Sequence, residues 1–269
     1  MIEIELHAFC NRMCNWCPNA SIDRTHNTSL SFQKYSKLIE DLSLVSYNGT
    51  ISFSRYNEPF AEIEYFKKCI EIVRQYLPQA RLVSNTNGDY LSSDVLESID
   101  LDELTIMDYD DLGENKCIER MKKWGISIEK IEYPFIIGKF ENMQVLYYVD
   151  WLSNGLIFDR GGVLNSSSVS FKNDKKKRNR PCFEPFKFVG IDFNGNVMPC
   201  CNLRSDNPLH DRYILGNIYE ESIFEILVSP VRDGFLSRTG MNGNLPIVCN
   251  TCQKDQGRYT REEAGIEYE

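Results

Sequence analysis

The sequence predicts an α/β protein: an open or partial barrel of parallel strands and helical crossovers, followed by a small hairpin-bearing segment. Three observations carry this. Strand-like and helix-like apolar patterns alternate through the first half of the chain. The alternation stops near residue 168, which divides the chain into residues 1–168 and 169–269. The alternating part spans about 165 residues, whereas a full eight-fold barrel typically takes about 250.

Each element has its own signal. Residues 2–6, "IEIEL", alternate with period two and read as a strand. Residues 31–45 read as an amphipathic helix and residues 50–54 as a second strand. In residues 62–77 the stripe Ile63, Phe66, Ile70, Val73 and Leu77 marks a helix. "RLVS" is a third strand, and Ser92 or Ser93 caps the helix that follows. "ELTIM" is a fourth strand, and "NKCIERMKKWG" a helix that ends at Gly125. Strands that alternate with helices in this way form parallel sheets. After "RGGVLNSSS" the pattern changes. "FKNDKKKRNR" (171–180) reads as a basic, solvated connector. "VGIDFNGNVMPCC" reads as two short strands around Asn194-Gly195, a strong hairpin signal. Residues 222–229 form a short helix, and residues 252–269 a polar, partly disordered tail.

Composition narrows the function classes. The chain has 269 residues, 42% of them hydrophobic, enough for a sizeable core. Its formal net charge of −9 argues against nucleic acid or an acidic membrane as partner. No apolar run approaches the roughly 18 to 20 residues of a membrane span. "MIEIELHAF" carries acids where an export signal would carry bases, which points to the cytoplasm. Ten cysteines in a reducing compartment point to metal or cluster ligation rather than disulfides.

Three of these cysteines, Cys10, Cys14 and Cys17, fall within "CNRMCNWC". Structural zinc would take a fourth ligand at similar range, and the next cysteine, Cys69, stands inside a helix. Three thiolates suit an iron–sulfur cluster with one iron left open. C-x3-C-x2-C with Trp16 before the last cysteine resembles the signature of the radical S-adenosylmethionine superfamily. The resemblance implies a partial (β/α)6 barrel and a [4Fe-4S] cluster whose open iron chelates S-adenosyl-L-methionine. Reduction of that cluster would cleave the cofactor to a 5′-deoxyadenosyl radical. "RYNEP" resembles the family's G-G-E-P segment, with Glu58 as its acid and Tyr56 and Asn57 in place of both glycines. "SNTNGD" resembles the ribose and carboxylate contacts, at Ser84, Asn85, Thr86 and Asn87. Taken singly, Glu58 and Asn87 would read as turn residues. Three such segments after three successive strands point to a cofactor site, because barrel enzymes place their sites at strand C-termini.

Cys182, Cys200, Cys249 and Cys252 make a second set, C-x12-G-x4-C through Gly195 and then "CNTC". This resembles the twitch form of the SPASM-type extension, a β-hairpin plus helix that holds an auxiliary [4Fe-4S] cluster. Two [4Fe-4S] clusters are therefore expected in all. Four cysteines with one C-x2-C would also suit zinc. Cys201 competes with Cys200, and only one of two neighbouring strand residues can face the cluster. Cys69 and Cys117 lie on amphipathic helices and read as core residues, with a hydrogen-donating thiol as the functional alternative.

Within the superfamily the motifs resemble the branch that dehydrogenates aminocyclitols in natural-product biosynthesis. That resemblance implies oxidation of a secondary alcohol on an aminocyclitol or sugar, with the auxiliary cluster accepting one electron. It also implies an external reductant such as flavodoxin or ferredoxin. Arg160 of "RGG" matches the arginine that contacts the reacting hydroxyl. With a pKa above about 12 it would orient the hydroxyl and stabilise negative charge rather than act as a base. The alternative is peptide modification, by thioether or carbon–carbon crosslinking or by epimerisation. The first cysteine stands at residue 10, which leaves no leader-peptide domain ahead of it and favours a small-molecule substrate. Arg204 and His210 in "CNLRSDNPLHDRY" are candidate substrate contacts, with exposed loop residues as the plainer reading.

Overall fold

The computed structural model describes residues 1–22, 24, 27–154, 161–164, 178, 180–240, 245–250 and 252. The chain divides into two compact units. One comprises Ile4–Asn11 and Thr25–Gly155; the other comprises Met1–Glu3, Arg12–Arg24 and Leu156–Glu269. The expected boundary at residue 168, the connector except Arg178 and Arg180, and the tail beyond Cys252 lie outside the described residues.

The chain opens with strand β1 (Ile2–Ile4) and helix α1 (Phe32–Leu44). Strand β2 (Thr50–Ser52), helix α2 (Ile63–Tyr76), strand β3 (Arg81–Thr86) and helix α3 (Ser93–Glu97) follow. Next come strand β4 (Glu103–Met107) and helix α4 (Glu114–Lys123). These are the expected elements in the expected order. The Ser92 hydroxyl caps α3 by accepting from the Val95 N–H at 3.2 Å. Gly125, with φ +78°, follows α4 in the left-handed conformation that ends helices.

After α4 the parallel order gives way to strands β5 (Ser127–Glu132), β6 (Phe135–Phe140) and β7 (Met143–Tyr148). Strand β7 runs parallel to β4, while β6 and β5 add antiparallel outside it. In the unit formed around residues 25–155 the strand order is β2-β3-β4-β7-β6-β5, so the sheet is open and the barrel is not closed. The β/α alternation that (β/α)6 requires is interrupted at β5 and β6. Both turns are two residues long, Tyr133-Pro134 and Glu141-Asn142, and such loops join antiparallel strands only. Strand β5 is exposed along most of its length and carries Glu129, Lys130 and Glu132, as an edge strand does. Helix α5 (Trp151–Asn154) closes this part of the chain.

The core of this unit lies between sheet and helices. Ile51, Leu82, Leu104, Ile106 and Val145 are buried, as are Cys117 and Met121 of α4. Phe66 of α2 meets Phe53 and Phe60 edge-on, with ring centroids 5.2 and 5.3 Å apart. Cys69 and Cys117 are fully buried, and burial pushes the Cys117 thiol up to about 12. Both are core residues, as the plainer reading had it.

The other unit carries helix α6 (Glu184–Lys187) and strands β8 (Val189–Ile191), β9 (Asn196–Met198) and β10 (Gly216–Asn217). Helices α7 (Ile223–Leu227) and α8 (Pro230–Gly240) follow. Strands β8 and β9 form the expected hairpin. The Asp192 carboxylate accepts the N–H groups of Asn194 and Asn196, both at 2.9 Å, and Gly195 takes φ +80°. The Ser222–Glu225 capping box starts α7. Helix α8 was not foreseen; its stripe is weak, with Phe235, Thr239 and Gly240 its buried residues. No described helix is long and apolar enough to cross a membrane.

Phe66→Ala should lower unfolding stability by about 3–5 kcal/mol, since it empties the contact of two aromatic neighbours in a closed core. Urea unfolding of wild type and variant measures it, and a loss under about 1 kcal/mol would show that this core is not close-packed.

Candidate functional site

Two constellations emerge, one in each unit. The first gathers the segments that follow β1, β2 and β3. Glu58 sits past the end of β2 and is 2% exposed. Its carboxylate accepts from the Thr86 hydroxyl at 2.7 Å, the Asn87 N–H at 2.9 Å and the Phe60 N–H at 3.3 Å. Its own N–H donates to the Phe9 carbonyl at 3.0 Å. The Asn87 side chain donates to Asn11 at 2.8 Å, and Asn11 donates to Asp89 at 2.8 Å. One hydrogen-bonded net thus joins the residues beside Cys10 to the "NEP" and "NTNGD" segments.

The electrostatics of Glu58 are a contest. Burial disfavours the charged carboxylate, the three donors favour it, and Asp89 adds repulsion. Burial wins and raises the carboxyl to about 7. An ammonium group brought to this acid would hold it ionised. Ser84 and Thr86 are buried on one face of β3, while Asn85 is exposed on the other. The Asn85 N–H donates to the Ser54 hydroxyl at 2.9 Å. Sequence reasoning missed Asn11, which its place beside Cys10 could have suggested, and Tyr90. Burial raises the Tyr90 phenol, and the charges of Glu58, Cys10 and Asp89 add to the rise.

Cys14 and Cys17 belong to the other unit and form a turn, with the Cys17 N–H donating to the Cys14 carbonyl at 2.9 Å. Pro18 starts a short 3-10 helix, Pro18–Ser21, and half-buried Trp16 sits inside the turn. All three cysteines of this motif are half-buried.

The second constellation lies wholly within this unit. Cys182, Cys200, Cys249 and Cys252 line one cavity, together with Gly161, Arg178, Asn202, Phe235 and Val248. Cys201 is not among its lining residues. Met198, Leu203, Tyr213 and Phe235 form the apolar cluster against which Cys200 and Cys249 pack. Two sulfurs receive N–H donors from one residue: the Asn202 backbone reaches Cys200 Sγ at 3.4 Å, and the Asn202 amide reaches Cys252 Sγ at 3.5 Å. A hydrogen bond with Cys201, then burial, and then the charges of Cys201, Cys182 and Cys252 raise the Cys200 thiol well above its ordinary value. Thiols that repel one another's ionised forms become ligands together only around a cation, which a cluster supplies. The residues therefore fit an iron–sulfur group. Among the described residues no three His, Cys, Asp or Glu side chains are set to hold one metal ion. A four-iron cluster spreads its thiolates over several irons and does not need them that close.

Arg204 and His210 are buried, contrary to the plainer reading of them as exposed loop residues. Arg204 forks onto Asp206 at 2.6 and 2.8 Å and donates to Asn19 at 3.1 Å. Arg24 also reaches Asp206, at 2.7 Å, and lies over the Phe193 ring. Burial works against the charge of Asp206, but both guanidiniums hold its carboxyl well below the usual range. His210 accepts the Arg204 N–H at Nδ1, 3.1 Å, so its Nε2–H donates to the Gly161 carbonyl at 3.0 Å. Gly161 has φ +66°, and a Cβ there would stand 2.8 Å from His210 Nε2. These side chains hold the loop and the "RGG" turn in place. Arg160 itself lies outside the described residues.

Comparison with known proteins gives the following likenesses. Residues 182–253 match SPASM, an iron–sulfur cluster-binding domain. The chain is 28% identical over 228 residues to the S-adenosyl-L-methionine-dependent 2-deoxy-scyllo-inosamine dehydrogenase of Niallia circulans, covering 84% of this chain and 81% of the relative. Its fold is similar to the crystal structure of BtrN in complex with AdoMet and 2-DOIA, with a TM-score of 0.71 at 24% identity, over 95% of this chain and 93% of that one. It is also similar to native anSMEcpe with bound AdoMet, with a TM-score of 0.54 at 12% identity, over 88% and 83%. These findings bear out the α/β class and the resemblance to S-adenosylmethionine radical enzymes with a SPASM-type segment.

Glu58 makes a pH prediction. Its folded pKa, about 7, exceeds its ordinary 4.5, so the folded state binds the extra proton between those values. Stability from this group is fully present below about 4.5 and is lost as pH rises through 7, by roughly 3 kcal/mol in total. Urea unfolding at pH 4 and 8 should show wild type losing that much relative to Glu58→Gln; parallel curves would refute the burial argument.

Proposed function

We propose that this protein is a radical S-adenosylmethionine dehydrogenase that oxidises a secondary alcohol of an aminocyclitol or related sugar to a ketone. The observation that carries it is the pocket of Cys182, Cys200, Cys249 and Cys252, bordered by the first glycine of "RGG". The likeness to the 2-deoxy-scyllo-inosamine dehydrogenase supports the substrate class. When bound, S-adenosylmethionine and two [4Fe-4S] clusters supply a 5′-deoxyadenosyl radical that takes the carbinol hydrogen, and an acceptor for the one electron left after the hydroxyl proton departs to water.

This chain's own residues do the rest. Cys10, Cys14 and Cys17 hold the first cluster, and Trp16 stands beside the last of them. Glu58, Ser84, Asn85, Thr86 and Asn87 form the cofactor's floor. Glu58 ties "NTNGD" to the first loop, which fixes the floor as one surface. Arg160 orients the substrate hydroxyl and favours negative charge on its oxygen. The Gly161 carbonyl, held by His210, fixes the backbone next to Arg160. Cys182, Cys200, Cys249 and Cys252 hold the auxiliary cluster, with Asn202 donating to two of its sulfurs. Residues 1–168 act as the radical core and 169–269 as the twitch segment. An external flavodoxin or ferredoxin in the cytoplasm delivers the priming electron.

Anaerobic incubation of reconstituted protein with S-adenosylmethionine, dithionite and 2-deoxy-scyllo-inosamine tests this. Ketone and 5′-deoxyadenosine should appear in equal amounts; 5′-deoxyadenosine without any ketone from aminocyclitols or sugars would refute the substrate class. The double variant Cys182→Ala/Cys252→Ala should still cleave cofactor but form no ketone. Arg160→Lys should lower kcat by about 10- to 100-fold, because a point charge replaces the planar fork.

A further inference from the structure

We infer that Arg178 tunes the auxiliary-cluster pocket: its buried guanidinium joins the two cysteine-bearing segments and raises the reduction potential of the cluster they hold. The inference rests on the proposed ligation by Cys182, Cys200, Cys249 and Cys252.

Arg178 stands in "FKNDKKKRNR", a run whose composition predicts solvated linker. It is instead 3% exposed and lines the cavity shared by the four cysteines. Nη2 donates to the Pro181 carbonyl at 2.7 Å and Nε to the Arg180 carbonyl at 3.0 Å, both just ahead of Cys182. Nη1 donates across to the Cys252 carbonyl at 3.3 Å, and the Arg178 backbone N–H donates to the Asn250 carbonyl. One residue therefore links the segment that carries Cys182 to the turn that carries Cys249 and Cys252. The planar fork of arginine suits this spread of acceptors, and the single ammonium of lysine does not.

These carbonyls are neutral acceptors and do not themselves cancel the charge of the guanidinium. A [4Fe-4S] cluster on four thiolates is net negative and becomes more so on reduction. A cation lining the same low-dielectric pocket stabilises the reduced form more than the oxidised one, which raises the potential. The proposed reaction needs that direction. Once the carbinol hydrogen and the hydroxyl proton are gone, the substrate radical is oxidised to ketone by one electron, and the auxiliary cluster is reduced by that same electron.

The test uses the full chain with Cys10, Cys14 and Cys17 replaced by alanine, so that only the late cysteines hold iron. Anaerobic redox titration followed by electron paramagnetic resonance compares Arg178, Arg178→Lys, Arg178→Gln and Arg178→Met. Lysine should keep the midpoint near that of Arg178, while glutamine and methionine should shift it to lower potential. If methionine loses the cluster, the lysine–glutamine comparison decides. Equal midpoints in arginine and glutamine, or a lysine shift as large as the glutamine shift, would overturn the inference. Failure of the Arg178-containing background to hold about four irons per chain would instead overturn the proposed ligand set.

Discussion

The carboxylate of Glu58 is the constraint on which the first constellation depends. A carboxyl group this buried is tolerated only because a hydroxyl and two backbone N–H groups converge on it. Thr86 is the last residue of β3, while Asn87 and Phe60 lie beyond the strand ends, where the parallel sheet does not hold them. The acid thus converts three strand ends into one surface, and Asn87 extends the net to Asn11 beside the first cysteine. Its raised pKa is the cost of that placement. A cationic cofactor group nearby would lower it again, so binding and ionisation of Glu58 are linked.

The second constellation is built on a different principle. Apolar packing by Met198, Leu203, Tyr213 and Phe235 sets the wall, and polar side chains fix the loops that carry the cysteines. Asn202 donates to two sulfurs, Arg178 links two segments through carbonyls, and Asp206 is held between Arg24 and Arg204. Buried ion pairs contribute less to stability than their geometry suggests, because both charges are desolvated. Here their value lies in fixing one loop conformation around a cavity whose cysteines repel one another when ionised. His210 extends the same device to Gly161, so the described part of "RGG" is tied to the loop that begins at Cys200.

Most of the first unit was legible because its periodicities are clean. The stripe from Ile63 to Val73 and the alternation of "ELTIM" match helix α2 and strand β4. Strands β5 to β7 were not legible as an antiparallel extension. Strand β5 is polar on both faces because it lies at an edge, so the alternation that marks a half-buried strand is missing. The two-residue turns Tyr133-Pro134 and Glu141-Asn142 lack the Asn-Gly or Asp-Gly signature that betrayed the β8–β9 hairpin. Helix α8 escaped for a related reason, since its apolar residues form no continuous stripe.

The sequence by itself determined the spacing of the cysteines, the α/β class and the order of the first elements, because residue spacing and apolar period are local properties. Tertiary structure decided which of two adjacent cysteines lines the late cavity, and turned Arg178, Arg204 and His210 from apparent surface residues into buried ones. The buried arginines and histidine depend on partners far along the chain, such as Cys252 for Arg178, Gly161 for His210 and Asn19 for Arg204. Composition reports a charge; only the fold reports whether carbonyls or water surround it.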